Sequence, residues 1–344
     1  MKLLLSFALF FAFLICPAAC AEGVRDGLTL AARDALPALF PFFVASGLLV
    51  RTGAADRLAR LAARPLARLY HLPPAAAPAV LLGLTGGYPV GAATLSGLLA
   101  QKLLSPADAA RACTFCNCAS PGFCIALVGL RVFGSARTGA LLYAIHALAA
   151  LLTGLLLARA DTEPQARADT SRPTGEGFSA AFCGAVQQAA STALTVTAFL
   201  TIFSVLLTLL RPVLYTLPGG MLLCGGIELT NGLLALPLLP LPTGALLTLA
   251  SFLLGFGGLA VQFQVRALLA PHGLALRGFV LAKLLHGALA AAMTAALFRL
   301  SPAVLSACAP CAAPAAPAAD WTGAAALLLA LFAIGGRKKV KTAV

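Results

Sequence analysis

The chain has 344 residues, of which 60% are hydrophobic and only 10% are charged, and its formal net charge is +13. A soluble domain carries about 25% charged residues, so this composition predicts an all-α polytopic membrane protein. The basic residues lie in loops between long apolar stretches, which favours the positive-inside pattern over a phosphate-binding face. We therefore expect membrane lipid as a partner and no nucleic acid.

The N-terminal region contains two apolar segments and an arginine-rich stretch. Residues 3 to 16 fit either a cleaved signal peptide or a short first membrane helix. The next segment, "DALPALFPFFVASGLLV", contains Pro37 and Pro41, which kink or delay a helix. Arginines spaced three or four residues apart then predict an amphipathic helix on the cytoplasmic surface, namely Arg57, Arg60, Arg64 and Arg68.

Further apolar stretches are long enough to be considered as membrane spans. The candidates are 112–131, 138–158, 190–210, 213–236, 274–299 and 322–336. These six crossings place the arginine-rich helix and the basic C-terminal tail on one side, provided that 73–101 and 241–271 each enter and return. An inverted repeat, however, needs an odd number of crossings between equivalent elements, so it conflicts with a full span at 213–236.

A polar linker at 159–177 divides the chain into halves. The predicted units in chain order are 1–21, a signal-like segment or first helix; 22–158, a first repeat with a hairpin at 73–101; the linker 159–177; 178–300, a second repeat with a hairpin at 241–271; and 301–344, a Pro/Ala-rich loop, a terminal membrane helix and a basic tail.

The first hairpin is predicted from "LLGLTGGYPVGAATLSGLL", residues 81 to 99. Irregular backbone at membrane depth persists only where it is buried in protein or lines a wet cavity. A shift of 171 residues places Gly86-Gly87 on Gly257-Gly258, and paired interruptions in two halves indicate a transporter's binding site. The alternative is that these glycines only allow helices to pack closely.

Polar side chains in apolar surroundings extend the predicted site. A carboxylate at mid-membrane costs on the order of 3 kcal/mol, so Glu228 should face a cavity or a partner unless it lies at the water interface. Asn117 precedes a Ser-Pro break and can bind a polar ligand or another helix. Gln262 and Gln264 point to one side only if the backbone between them is extended. His286 is expected to be a packing residue.

The cysteine spacing and the absence of nucleophile or nucleotide motifs argue against a metal site, a cofactor or an enzyme. "CTFCNC" contains one C-x-x-C without a second pair or a histidine at zinc-like spacing. Cys308 and Cys311 either form a disulfide or stay unpaired. The chain contains no P-loop, no H-E-x-x-H and no G-x-S-x-G.

Five motifs in chain order carry a resemblance to a known family: "LPALFPFFVASGLL", "GLTGGYPVGA", "FCNCASPGF", "IELTNG" and "FGGLAVQFQV". They resemble the YlbJ family of sporulation integral membrane proteins, which carries a nucleoside-recognition Gate domain related to concentrative nucleoside transporters. The resemblance implies inverted repeats, each with a re-entrant helical hairpin. It also implies a location in the bacterial cell membrane, with the forespore envelope as the special case.

The resemblance implies a multi-pass transporter or channel for a small polar or anionic solute, dipicolinate during sporulation being the first candidate. A nucleoside-type solute and a non-transporting scaffold are the alternatives; a coupling ion, Na⁺ or H⁺, and a homo-oligomer are further expected partners. One departure is that the family usually has serine and histidine where this chain has Ala260 and Gln262. The predicted solute-binding residues are Gly86, Gly87, Tyr88, Pro89, Gly91, Asn117, Ser120, Pro121, Glu228, Thr230, Asn231, Gly257, Gly258, Gln262 and Gln264.

Overall fold

A computed structural model describes residues 2–100, 102–158, 177–217, 219–274, 276, 278–301, 303–304 and 308. The predicted terminal helix at 322–336, the basic tail, Cys311 and most of the 159–177 linker lie outside these residues. The α-helices of the described part are α1 (Lys2–Ile15), α2 (Pro17–Leu30), α3 (Leu36–Arg51), α4 (Ala54–Tyr70), α5 (Ala77–Gly86), α6 (Val90–Ala100), α7 (Pro106–Cys116), α8 (Ala136–Leu156), α9 (Phe178–Leu214), α10 (Gly220–Ile227), α11 (Leu229–Ala235), α12 (Thr243–Phe256), α13 (Gly258–Leu269) and α14 (Phe279–Leu300).

Four helical stretches in the described residues are long and apolar enough to cross a membrane. They are Ala136–Leu156, Phe178–Leu214, Thr243–His272 and Phe279–Leu300. A fifth span results if α1 and the segment Pro17–Ala35, which meet at 96°, count as one. The all-helical membrane class is therefore confirmed, and the predicted spans at 138–158, 190–210 and 274–299 each fall on one of these helices.

Helices α5 and α6, within the range 73–101 predicted for the first hairpin, fold back on each other. A Cβ built on Gly83 would lie 3.1 Å from the Cα of Gly91, although the two residues are eight positions apart. The same Cβ would lie 1.7 Å from the carbonyl oxygen of Cys116. Glycine is thus required where α5, α6 and the end of α7 meet. Neither helix of this pair is long enough to cross a membrane.

The predicted span at 112–131 is interrupted. Helix α7 ends at Cys116, and Asn117 has an extended backbone with φ −102° and ψ 97°. The chain becomes helical again at Pro121 and continues as the π-helix Phe123–Val132. We call residues 117–120 the first break. The proline contributes to this interruption because its nitrogen cannot donate a helical hydrogen bond.

The predicted full span at 213–236 is wrong. Helix α9 ends at Leu214, and two short helices, α10 and α11, follow. A Cβ built on Gly232 would lie 2.0 Å from the Cα of Gly225, so α10 and α11 fold back on each other around Glu228. The reason is local: the Glu228 side chain accepts hydrogen bonds from two backbone amides and begins a new helix there.

The predicted hairpin at 241–271 is also not formed. Helices α12 and α13 together make the single candidate span Thr243–His272, interrupted at Gly257 and Gly258, whose φ values are +79° and +71°. Helix α12 is held along α14, because Gly255 lies against Gly287 and the Ser251 and Thr294 hydroxyls are 2.7 Å apart. We call residues 257–258 the second break. The structure thus has the fold-back at α10 and α11 and the interrupted span at 243–272, whereas the sequence predicted the span first and the hairpin second.

Small residues bring the N-terminal helices close to α9. Cβ atoms built on Gly23 and Gly27 would lie 2.5 Å from the Cα atoms of Val205 and Thr201. Close backbone approach through small residues is the usual way in which membrane helices pack. This packing positions the start of α3 and the middle of α9 beside the two breaks.

Candidate solute site

A small cavity lies where both fold-backs and both breaks converge. Its walls come from the turn between α5 and α6, the first break, the turn between α10 and α11, and helices α3, α9 and α13. The described residues that line it are Ala35, Leu39, Tyr88, Ala119, Ser120, Phe123, Val196, Leu200, Glu228, Leu229, Thr230, Val261 and Gln264. Five of the predicted site residues, Tyr88, Ser120, Glu228, Thr230 and Gln264, are therefore brought together.

The cavity has a volume of about 40 Å³ available to water. Since one water needs roughly 10–15 Å³ on this measure, the space holds about three water molecules. Pockets for drug-sized ligands are usually about 300 Å³ or more. A solute as large as a nucleoside therefore fits only if the walls separate.

Tyr88 joins the first fold-back to the second break. Its hydroxyl donates a 2.8 Å hydrogen bond to the carbonyl oxygen of Leu254, whose normal helical partner would be the amide of residue 258. A Cβ built on Gly257 would lie 3.1 Å from the Tyr88 hydroxyl oxygen. The predicted proximity of the Gly86-Gly87 turn to Gly257-Gly258 is thus found, although the second member belongs to an interrupted span.

Asn117 does not line the cavity. Its Oδ1 accepts a 2.9 Å hydrogen bond from the backbone amide of Ala92, and its Nδ2 donates to the carbonyl oxygen of Cys113 at 3.1 Å. The side chain therefore fixes the start of α6 to the end of α7. It is a positioning residue here and does not present a free amide to a solute.

Glu228 lies at the turn of the second fold-back and is 1% exposed. Its two carboxylate oxygens accept hydrogen bonds from the backbone amides of Thr230 and Asn231 at 3.0 and 2.7 Å. Asn231 adds a side-chain bond at 2.9 Å and does not line the cavity. The sequence left open whether Glu228 faces a cavity or lies at the water interface, and in the structure its carboxylate is buried and lines the cavity.

The two glutamines point in different directions, because α13 is helical at both. Residues two apart on a helix diverge by about 200°. Gln264 lines the cavity, whereas Gln262 donates to the carbonyl oxygen of Phe256 at 3.2 Å and its Oε1 is buried without a hydrogen-bond partner. Of the two geometries that the sequence left open, the structure therefore has the helical one, in which the two side chains diverge.

The remaining predicted residues support the cavity from behind. Gly87, with φ +85°, lies against Ser120, since a Cβ built on it would be 2.8 Å from the Ser120 Cβ. Ser120 Oγ accepts from the amide of Phe123 and so caps the helix after the first break. The residues that shape the surroundings without lining the cavity are Gly86, Gly87, Pro89, Gly91, Pro121, Gly257 and Gly258.

Sequence reasoning missed the apolar wall of the cavity. Ala35, Leu39, Val196 and Leu200 come from α9 and from the residues around the start of α3. Such side chains are common in every membrane helix, so no local pattern distinguishes them. Lys283, whose side chain is 1% exposed, is also absent from the predicted site residues.

The described cysteines give no metal site. Cys113, Cys116, Cys118 and Cys124 are buried and unpaired. Within the described ranges no group of three or more metal-ligating side chains comes together. Cys308 is also unpaired among the described residues, while its predicted partner lies outside them.

The long apolar helices are those of a membrane protein, and one part of the chain matches a known family model. Residues 32–138 match the Gate family, which is described as nucleoside recognition. This range contains the first fold-back and the first break. The match thus covers the first half of the candidate site.

The chain is also similar to the sporulation integral membrane protein YlbJ of Bacillus subtilis (strain 168). The two are 28% identical over 325 residues, which covers 82% of this chain and 78% of that protein. The similarity therefore extends over both halves, and the resemblance drawn from the five motifs is confirmed. No solved structure matches the chain.

Proposed function

We propose that this protein is a multi-pass transporter for a small polar solute, which binds between the two fold-backs. The observation that carries the proposal is the cavity, because its polar lining comes from both fold-backs, the first break and α13. Interrupted helices whose exposed backbone lines a midplane cavity are the common binding-site architecture of secondary transporters.

A repeat with a spacing of 140 residues supports the same conclusion and replaces the 171-residue shift. It relates the first fold-back to the second and the first break to the second. The pairs that are each 140 residues apart are Tyr88 and Glu228, Asn117 and Gly257, and His146 and His286. The rings of His146 and His286 stack with centroids 4.6 Å apart, as expected for equivalent residues beside a pseudo-two-fold axis.

The lining favours an uncharged solute with several hydrogen-bonding groups. Glu228 is the one charged side chain among the described lining residues, and Tyr88, Ser120, Thr230 and Gln264 add neutral polar groups. A dianion such as dipicolinate would lie next to this carboxylate and be repelled. A nucleoside-type solute is therefore our first candidate, which accords with the description of the Gate family.

Transport requires the cavity to open to each side in turn. At about 40 Å³ the space is too small for a nucleoside, so the two halves must move apart to admit it. The glycines with positive φ at the turn and at the second break, Gly87 and Gly257, are suitable hinges since they tolerate such backbone angles.

Uptake into liposomes that contain the purified full-length protein tests the proposal. We expect uridine to enter faster than into empty liposomes, and dipicolinate to enter no faster than into empty ones. Entry of dipicolinate alone would contradict the solute class but keep the transporter. Entry of neither would favour the scaffold alternative, in which neutralising Arg57, Arg60, Arg64 and Arg68 abolishes partner recruitment while changes to Glu228 do not.

A further inference from the structure

Lys283 is a buried cation near the N-terminal end of a candidate membrane span. It lies on α14, and its side chain is 1% exposed. A lysine buried within a membrane-spanning helix is costly and normally pairs with an acid or with backbone carbonyls. Among the ion pairs of the described residues, none includes Lys283.

The Lys283 ammonium has two hydrogen-bond partners and one aromatic neighbour. Nζ donates to the carbonyl oxygen of Asn117 at 2.9 Å and lies 3.0 Å from His286 Nδ1. His286 Nε2 is 3.0 Å from the carbonyl oxygen of His146, so Nε2 carries the proton and Nδ1 accepts from Lys283. The third neighbour is the face of the Tyr88 ring, 5.4 Å from Nζ to the centroid.

These contacts hold both ends of the first break. Asn117 is bound through Lys283, and the amide of Ala119 donates to His146 Nε2 at 2.9 Å. Because His146 and His286 stack, α8 and α14 together clamp the irregular backbone. Lys283 also contacts the ring of Tyr88, and Tyr88 lines the cavity.

The charge of Lys283 is balanced by dipoles and a π face. Asn117 follows the last residue of α7, where the helix dipole is negative, and an aromatic face is also negative. The other titratable groups near the ammonium are the thiols of α7 and the first break and the two histidines, namely Cys113, Cys116, Cys118, His146 and His286. Unwound carbonyls at the C-terminal end of a half-helix form the kind of environment that holds a coupling cation in a transporter.

We propose that the Lys283 ammonium holds the first break in the place of a bound coupling cation, so that transport through the cavity needs no Na⁺. This inference rests on the proposed function for its transport consequence, but the structural role stands independently of any solute. Lys283 is a positioning residue in this proposal, since it contacts the break and not the solute.

Replacement of Lys283 and chemical rescue test the structural role. Lys283→Ala removes the ammonium and leaves room for propylammonium, whereas Lys283→Met refills the space with an apolar chain. We expect the thermal midpoint of the purified full chain to fall by about 5 °C or more in Lys283→Ala. Propylammonium chloride should restore it, and choline chloride, whose cation is too large, should not. Lys283→Met should not respond to either salt.

The exposed Lys102 supplies the matched control, since Lys102→Ala should leave the midpoint unchanged. An unchanged midpoint in Lys283→Ala, or equal restoration by choline, would overturn the proposal.

The transport consequence has its own test. Uridine uptake by the wild-type protein should be equal in sodium chloride and in choline chloride, and a requirement for Na⁺ would contradict the inference. If only dipicolinate moves, the same salt comparison is made with it; if neither solute moves, the proposed function fails, and the rescue experiment alone decides the role of Lys283.

Discussion

The polar side chains near the two breaks have two different roles in this protein. Asn117 and Lys283 satisfy irregular backbone, whereas Gln264 and Thr230 line the cavity. The sequence left open whether Asn117 binds a solute or another helix, because residue type does not tell which backbone groups lack a hydrogen-bond partner. Glu228 serves both purposes, since it caps α11 and lines the cavity.

The positioning role of Asn117 leads to a prediction about stability. Asn117→Ala should leave the buried amide of Ala92 without a partner, which costs about 1–3 kcal/mol. The thermal midpoint of the purified protein should fall accordingly. Thr195→Val, at an exposed position on α9, serves as the control. An unchanged midpoint in Asn117→Ala, with uptake lost, would instead support a direct role in solute binding.

At the scale of elements, the glycines and the proline lie at the turn between α5 and α6, and the spaced arginines lie on the amphipathic helix α4. The second half was assigned in reverse, with the fold-back and the interrupted span exchanged. Hydropathy does not separate these two elements, because both are apolar and both contain a Gly-Gly pair. The difference depends on packing: the distant contact of Gly255 with Gly287 holds α12 along α14, whereas the local contact of Gly225 with Gly232 closes the fold-back.

Two glycine substitutions in the first fold-back test its packing. Gly83→Ala forces a methyl group to within 1.7 Å of the Cys116 carbonyl oxygen, so we expect a loss of about 1–3 kcal/mol or more. Gly97→Ala meets nothing within 4 Å and should stabilise α6 by about 0.5–1 kcal/mol. The thermal midpoints of the two variants should therefore move in opposite directions. Equal shifts would show that α5 and α6 do not meet at Gly83.

At the scale of the whole molecule, the exchange of the two elements resolves a conflict in topology. The interrupted span at 243–272 replaces 213–236 as a crossing, so six crossings still separate the arginine-rich helix from the basic tail if 322–336 spans. The two fold-backs now enter from opposite sides, as an inverted repeat requires, because an odd number of crossings separates them: 112–131, Ala136–Leu156 and Phe178–Leu214. The Ser96–His272 contact, 2.8 Å between Oγ and Nε2, joins two ends that this topology places on the same side.

The topology predicts on which side the short connection 239–242 lies. With the fold-back at α10 and α11, this connection is extracytoplasmic; with a full span at 213–236 it would be cytoplasmic. An epitope tag inserted after Leu239 should be reached by antibody from outside the cell. Tags at Gly134 and Gly273, which are outside and inside in both arrangements, are the controls. Detection of the Leu239 tag only after permeabilisation would contradict the fold.

The most direct test of the central claim is uridine uptake by a variant that changes the cavity and little else. Glu228→Gln keeps the size of the side chain but removes the charge and weakens its bonds to Thr230 and Asn231. The control Glu22→Gln makes the same change at an exposed carboxylate, 3.6 Å from Arg211. We predict that Glu228→Gln lowers the uptake rate at least about tenfold, the equivalent of 1.4 kcal/mol, while Glu22→Gln leaves it unchanged. Equal uptake by both variants and the wild type, at equal amounts of inserted protein, would contradict a solute path between the two fold-backs.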